Sequence, residues 1–307
     1  MKARFFIFSA IAIAACSPLE PDEVISDLQK DGAEDGFYTL TVEATKGFDT
    51  KALSLDDNTL NASWVTGEKV GVYVNGVRCG QLSATADGSD ATKATLSGTL
   101  TDASGIKADA TIMLLYPDRE DITEGTKWDY TGQNGAAPGS DLSKYDFATA
   151  TLTVSSINGT TVNTTTSSVA FQNEQSVYRF GFKVGGAGSA IEVKEFTVTS
   201  SQNQLVRTRS YVTDAWTSAF GSLTVTSSAA PAGNIYYMSL RNDNTSADDT
   251  YTFYAIGSND ALYSGTKAIT AANLGNGKFI SMQSISVSQP SFASVPNTEI
   301  SLPENVY

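Results

Sequence analysis

The side chains that most often carry enzyme chemistry are thin in this sequence. It contains no histidine, which removes Ser-His and Cys-His nucleophiles, His-bearing zinc sites and the usual proton shuttle. Two cysteines occur, Cys16 and Cys79. Cys79 lies between Arg78 and Gly80; it reads either as a reactive thiol or as a small buried hydrophobe in the second strand of a hairpin. Carboxylates gather at Asp118, Glu120, Asp121 and Glu124, and again at Asp243, Asp248 and Asp249. A glycosidase needs two such groups facing across a cleft, whereas a solvated hairpin loop needs nothing more than this spacing. The second cluster, with Asn242 and Asn244 beside it, offers ligand types suited to a structural Ca2+ but lacks EF-hand spacing. Gly181, Gly185, Gly186 and Gly188 follow a strand-like run and open no helix, so they are turn residues rather than a phosphate loop. The expectation is a protein that is not an enzyme, with no catalytic residues and no required cofactor. Trp128, Tyr130 and Trp216 remain as candidate stacking platforms for a glycan, with Tyr211 alongside.

The N-terminus has a different chemistry. Lys2 and Arg4 precede an apolar run from Phe5 to Ala15. That run is shorter than the roughly 20 residues a transmembrane helix needs and has the proportions of a secretory signal. It ends in Ile13-Ala14-Ala15-Cys16, followed by Ser17-Pro18. This resembles the lipobox of bacterial lipoproteins, in which the cysteine is acylated and becomes the first mature residue. The alternative is an ordinary signal peptide with an incidental Cys16. Lipidation would make residues 1–15 a signal peptide and hold the chain on the outer membrane, since each buried acyl methylene contributes about 0.8 kcal/mol. The whole chain carries 20 Lys+Arg against 33 Asp+Glu, a formal −13, and loss of Lys2 and Arg4 makes it two units more negative. Such a charge repels nucleic acid and anionic headgroups. Only Cys79 would be left as a free thiol, which excludes an intramolecular disulfide.

Residues 16–36 read as an acidic, flexible tether with Pro18 and Pro21. From Phe37 onward the apolar period is two. Tyr38, Leu40, Val42 and Ala44 share one face; Val70, Val72 and Val74 share another and run into Asn75-Gly76, a strong hairpin signal. Tyr178, Phe180, Phe182 and Val184 alternate with Arg179, Gly181 and Lys183. Many short strands at this spacing, with Thr and Ser outward, predict an all-β chain of tandem antiparallel sandwiches. A boundary fits the polar stretch Asn158–Ser168, giving an N-terminal β-sandwich over 37–165, a C-terminal one over 166–290 and a tail over 291–307. A long hairpin loop inside one sandwich is the other reading of that stretch. The tail, with Ile300 and Leu302 on one face between Pro296 and Pro303, is either a donor segment or a frayed terminus.

Several blocks together resemble the fimbrillins, the pilin-like lipoproteins of type V pili. Trp64, Gly67, Glu68, Val70, Val72 and Tyr73 approximate the family's W-x-x-G-[DE]-x-[IV]-x-[VL]-[YF], with the tyrosine one place out of register. Leu114-Leu115-Tyr116-Pro117, Tyr130-Thr131-Gly132-Gln133-Asn134-Gly135, Tyr145–Ala150 and Val169–Phe180 extend the likeness over roughly residues 46–184. Read without the family, Trp64 is a core plug at a sandwich end or, alternatively, a stacking platform, and Pro117 ends its strand. The resemblance implies two transthyretin-like domains and assembly with other pilus subunits by donor-strand exchange. In it, a protease removes the first strand and a neighbour's strand fills the groove. Mapped here, the removable strand is Phe37–Ala44 and the cut follows Lys46 or Lys51. No arginine lies between Cys16 and Arg78, so an Arg-specific protease finds no site there, and an uncleaved chain would suit an anchor or accessory subunit better than a shaft. The competing expectation is a glycan-binding surface lipoprotein of a polysaccharide-uptake system.

Overall fold

A computed structural model of the chain describes residues 36–46, 54–56, 59–101, 105–118, 126–138, 141–227 and 232–289. The fold is all-β; among the described residues the only helical pieces are three 3-10 turns. The first eleven strands are β1 (Phe37–Lys46), β2 (Ser54–Asp56), β3 (Thr59–Asn61), β4 (Lys69–Val74), β5 (Val77–Ala86), β6 (Lys93–Thr101), β7 (Thr111–Tyr116), β8 (Thr126–Asp129), β9 (Ala148–Asn158), β10 (Thr161–Thr164) and β11 (Ser168–Asn173). The remainder are β12 (Ser176–Val184), β13 (Ala190–Ile191), β14 (Val193–Ser200), β15 (Val206–Val212), β16 (Ala215–Phe220), β17 (Leu223–Thr226), β18 (Ile235–Leu240), β19 (Asp249–Gly257), β20 (Leu262–Ile269) and β21 (Phe279–Val287).

The expected first sandwich is instead a closed barrel of 7 staves. Antiparallel pairing runs β1–β6–β5–β4–β7–β9. β9 then pairs with β10 and with β11, and both pair back to β1 in parallel, so these two short strands act as one interrupted stave. Closure leaves this sheet no free edge. The reason it was missed is physical: alternation reports which face of a strand is buried, not whether the two outermost strands of a sheet meet. Tyr38, Leu40, Val42, Val70, Val72, Val74, Leu96, Leu114 and Leu152 all fill the interior as their periodicity predicts. Asn75 and Gly76, both at positive φ, make the tight β4–β5 turn. The polar stretch around 158–168, read as a domain boundary, carries β10 and leads into β11, which completes the barrel up to Asn173. Its Thr and Ser residues stand mostly on the exposed outer surface.

Beyond the barrel, β12 is flanked by β18 and β13 on one side and by β21, in parallel, on the other. A second sheet runs β17–β14–β19–β20. The two face each other across aromatic rings: Phe180 lies 5.6 Å from Phe196 and 5.3 Å from Phe253, both edge-on, the arrangement ring quadrupoles favour. A third sheet, β16–β15–β8, draws its last strand from the first half of the chain. The core beneath it includes Tyr73 and Leu115 from the outer face of the barrel together with Trp128, Tyr130, Phe147 and Tyr211. β4 therefore buries both faces, Val70, Val72 and Val74 inward and Tyr73 outward.

Candidate functional site

The strand that the family resemblance singles out is a barrel stave. β1 alternates exposed and buried along its length, and Tyr38, Leu40, Val42 and Ala44 are each at most 2% exposed. It pairs with β6 over its whole span, from Phe37↔Thr101 to Thr45↔Lys93. Its other edge is more weakly held. There it meets β10 at Thr39 and Leu40 and β11 from Glu43 to Lys46, both in parallel. Just before each of these strands the Thr39 N–H donates to Thr160 O at 2.7 Å and the Glu43 N–H to Ser167 O at 2.9 Å. Taking β1 away would bare the edges of β6, β10 and β11 above a row of apolar pockets. Burial of a Leu- or Val-sized side chain contributes about 1.5–3 kcal/mol, so an empty slot of this kind strongly favours being refilled.

At its C-terminal end β1 finishes on a buried charge. Lys46 occupies the next inward position after Ala44, and its side chain is 1% exposed. Its Nζ donates to Ser63 O at 2.6 Å and to Glu68 Oε2 at 2.9 Å. The same ammonium lies 4.0 Å from the centroid of the Trp64 ring and 5.3 Å from that of Tyr116. Glu68 in turn accepts from the Val65 N–H and the Tyr116 hydroxyl. Trp64 is held edge-on between Tyr116 and Phe171, at 5.6 and 5.5 Å, and is the core plug its position suggested. Sequence reasoning placed Lys46 at a cut and Glu68 in a motif but did not join them. The available signal was parity: residues 38, 40, 42 and 44 point inward, so 46 does too.

The other sequence-predicted residues fall in different places. Cys16, Lys51 and the 291–307 tail lie outside the described residues. Lys46, the first candidate cut site, is locked in place, so a protease that reads a lysine side chain must first pull it from its partners. Trp128 and Tyr130 are fully buried and cannot present a stacking face to a glycan. Trp128 stacks on Phe147 at 5.1 Å, and burial pushes the Tyr130 phenol well above its ordinary pKa. Trp216 is covered by Trp128 at 4.6 Å and by the Arg209 guanidinium at 4.2 Å. Trp128 and Tyr130 lie beneath the β8–β15–β16 sheet, in a core shared with the barrel, while Trp216 stays half-buried. Cys79 is buried at 1% exposed, as a small hydrophobe. Asp118 is taken by Arg78 through two hydrogen bonds. Asp249 accepts hydrogen bonds from the chain's own donors, among them Ser200, Ser201 and Asn242. Among the described residues no group of three or more acidic or Cys side chains is arranged to hold a metal. Sequence reasoning also missed an exposed apolar strip: Tyr254 and Leu262, each 55% exposed, flank Ile256 on the outer face of β19–β20.

No family model and no curated protein matches the chain. Among solved structures it is similar to a "putative cell adhesion protein" from Bacteroides uniformis ATCC 8492, at 15% identity and a TM-score of 0.46, covering 82% of this chain and 96% of that one. A fimbrial assembly protein from Parabacteroides distasonis ATCC 8503 aligns at 10% identity and a TM-score of 0.38, covering 80% and 89%. The shaft pilin spaA from Lactobacillus rhamnosus GG aligns at 10% identity and a TM-score of 0.32, covering 83% and 99%.

Proposed function

We propose that this chain is a fimbrillin-like surface lipoprotein, a structural pilus subunit, anchor or accessory subunit serving cell adhesion. It is held on the outer membrane by acyl chains on Cys16 and joined to other subunits by donor-strand exchange. The observation that carries the reading is the position of β1. It is the first strand among the described residues, fills one stave of the barrel with four apolar side chains, and connects onward through residues 47–53. A cut in that connection, followed by departure of β1 together with the Cys16-bearing N-terminal piece, would convert a closed sheet with no edge into a groove with two, and an extended segment from a neighbour would then supply the missing hydrogen bonds and pocket fillers. Lys51 is the basic residue in that connection, and Lys46 is held inside the barrel end, so the proposed cut follows Lys51. Left uncut, the chain keeps β1 and acts as a cap or anchor.

Two measurements test this. Mass spectrometry of the protein from its native cells reads acylation at Cys16 and the position of any cut. Purified, folded protein nicked within residues 47–53 is then followed by electrophoresis without boiling and by electron microscopy. Ladders or fibres that form only after nicking are the expected result. Nicked, folded protein that stays monomeric and never takes up a strand would sink the exchange role.

A further inference from the structure

The four apolar inward residues of β1 do not by themselves define where the strand sits. Tyr38, Leu40, Val42 and Ala44 repeat at period two, so a slip of two residues along β6 keeps an apolar side chain in nearly every pocket. The fifth inward position breaks that degeneracy. The Lys46 ammonium is met by groups from outside β1, among them the Ser63 carbonyl, the Glu68 carboxylate and the rings of Trp64 and Tyr116. A carbonyl, a carboxylate and two π faces together form a receptor for one primary ammonium. A two-residue slip would bring Ala44 there and leave a partly buried carboxylate, 17% exposed, without its cation. Leaving such a charge without its cation adds a cost to the slipped register that the in-register strand does not carry. One buried polar position that fixes register is a known device in coiled coils, and this barrel end has the same logic.

We propose that the Ser63–Trp64–Glu68–Tyr116 cage is a selectivity site for the strand that occupies the β1 slot. It binds the ammonium of a lysine placed eight residues after the leading inward aromatic, as Lys46 stands to Tyr38. The inference rests on the strand-exchange reading and adds the chemistry of the partner: an extended segment with apolar residues at alternate positions that ends on an inward lysine. Segments that match the apolar pattern but lack the lysine enter poorly or out of register.

The experiment uses the full chain with a sequence-specific protease site at residues 48–52, cut in the folded state. A fluorescent peptide spanning residues 36–46 is exchanged into the nicked protein, and unlabelled peptides compete, read by anisotropy. The competitors are the native peptide, Lys46→Met, and a peptide carrying Ala44→Lys with Lys46→Ala. The native peptide is expected to compete about tenfold or more better than either variant, the scale of a charge-assisted hydrogen bond. On a Glu68→Gln receptor that advantage shrinks to within about threefold. Should Glu68→Gln fail to fold, the peptide series on the native receptor decides alone. Equal competition by the native and Lys46→Met peptides overturns the cage as a selector and leaves strand exchange standing. If no peptide enters the nicked, folded protein, the native one included, strand exchange is overturned and selection goes with it.

Discussion

At the scale of single residues, the buried charges are used for positioning. Asp249 is the clearest case. It is 2% exposed, at the start of β19, and accepts hydrogen bonds from Ser200 Oγ at 2.5 Å, Ser201 Oγ at 2.8 Å, the Thr250 N–H at 2.7 Å and Asn242 Nδ2 at 3.0 Å. Burial pushes its carboxyl up, but these donors outweigh burial and hold it below the ordinary value. A lowered native pKa means that the ionised form stabilises the fold above the unfolded value of about 3.9, and that this contribution is lost as pH falls through the native pKa. Asp249→Asn keeps the shape but turns an amide toward groups that donate. It is expected to cost about 1–3 kcal/mol at pH 7, with the gap to the native protein closing as pH falls through the lowered native pKa of Asp249. Urea midpoints followed from pH 7 down through the acid range check this, and a gap independent of pH would refute it.

At the scale of elements, turns and strand faces carry most of the information. The β4–β5 turn at Asn75-Gly76 is tight for the reason its residues suggested, since both adopt positive φ. It is also a contact point that no local signal announced. A Cβ at Gly76 would stand 2.0 Å from the backbone N of Asp214 and 2.6 Å from the Thr213 carbonyl carbon, in the β15–β16 turn. Gly76→Ala therefore meets backbone that cannot rotate away, in addition to the left-handed φ. A loss of about 2 kcal/mol or more is expected from equilibrium denaturation. A change within about 0.5 kcal/mol would mean that the two hairpin turns separate freely in solution.

At the scale of the whole molecule, Glu174 ties the barrel to the layers beyond it. It lies between β11 and β12 and accepts from Thr149 Oγ1 of β9 at 2.8 Å. Its other carboxylate oxygen takes the Arg209 guanidinium from β15 and the Arg241 guanidinium that follows β18, and its carbonyl accepts from Arg241 at 2.8 Å. Both arginine side chains are little exposed, at 12% and 11%. Truncation leaves two guanidinium groups short of their shared partner, so Glu174→Ala is expected to cost about 3–5 kcal/mol. Glu174→Gln, which keeps one acceptor, should cost less. Calorimetry reads both; a near-neutral Glu174→Ala would show that the barrel and the second core do not depend on this tie.

Some of this protein was legible in residue order alone. Period-two alternation identified β1, β4 and β12 and the faces they bury, because a strand's side chains change sides at every residue whatever lies next to them. The absence of histidine and the Asn75-Gly76 turn are likewise properties of the chain itself. What only the tertiary structure decided is everything that depends on which backbone edge meets which. Parallel pairing of β1 with β10 and β11 turned an expected sandwich into a barrel, and the sheet formed by β8, β15 and β16 put the candidate platforms Trp128 and Tyr130 into a core. The same non-local pairing brought Lys46 to Glu68 and Trp64. Backbone hydrogen bonds are the same for every residue type, so the choice of partner edge leaves almost no trace in composition. It is fixed by how the buried side chains of distant strands fit together.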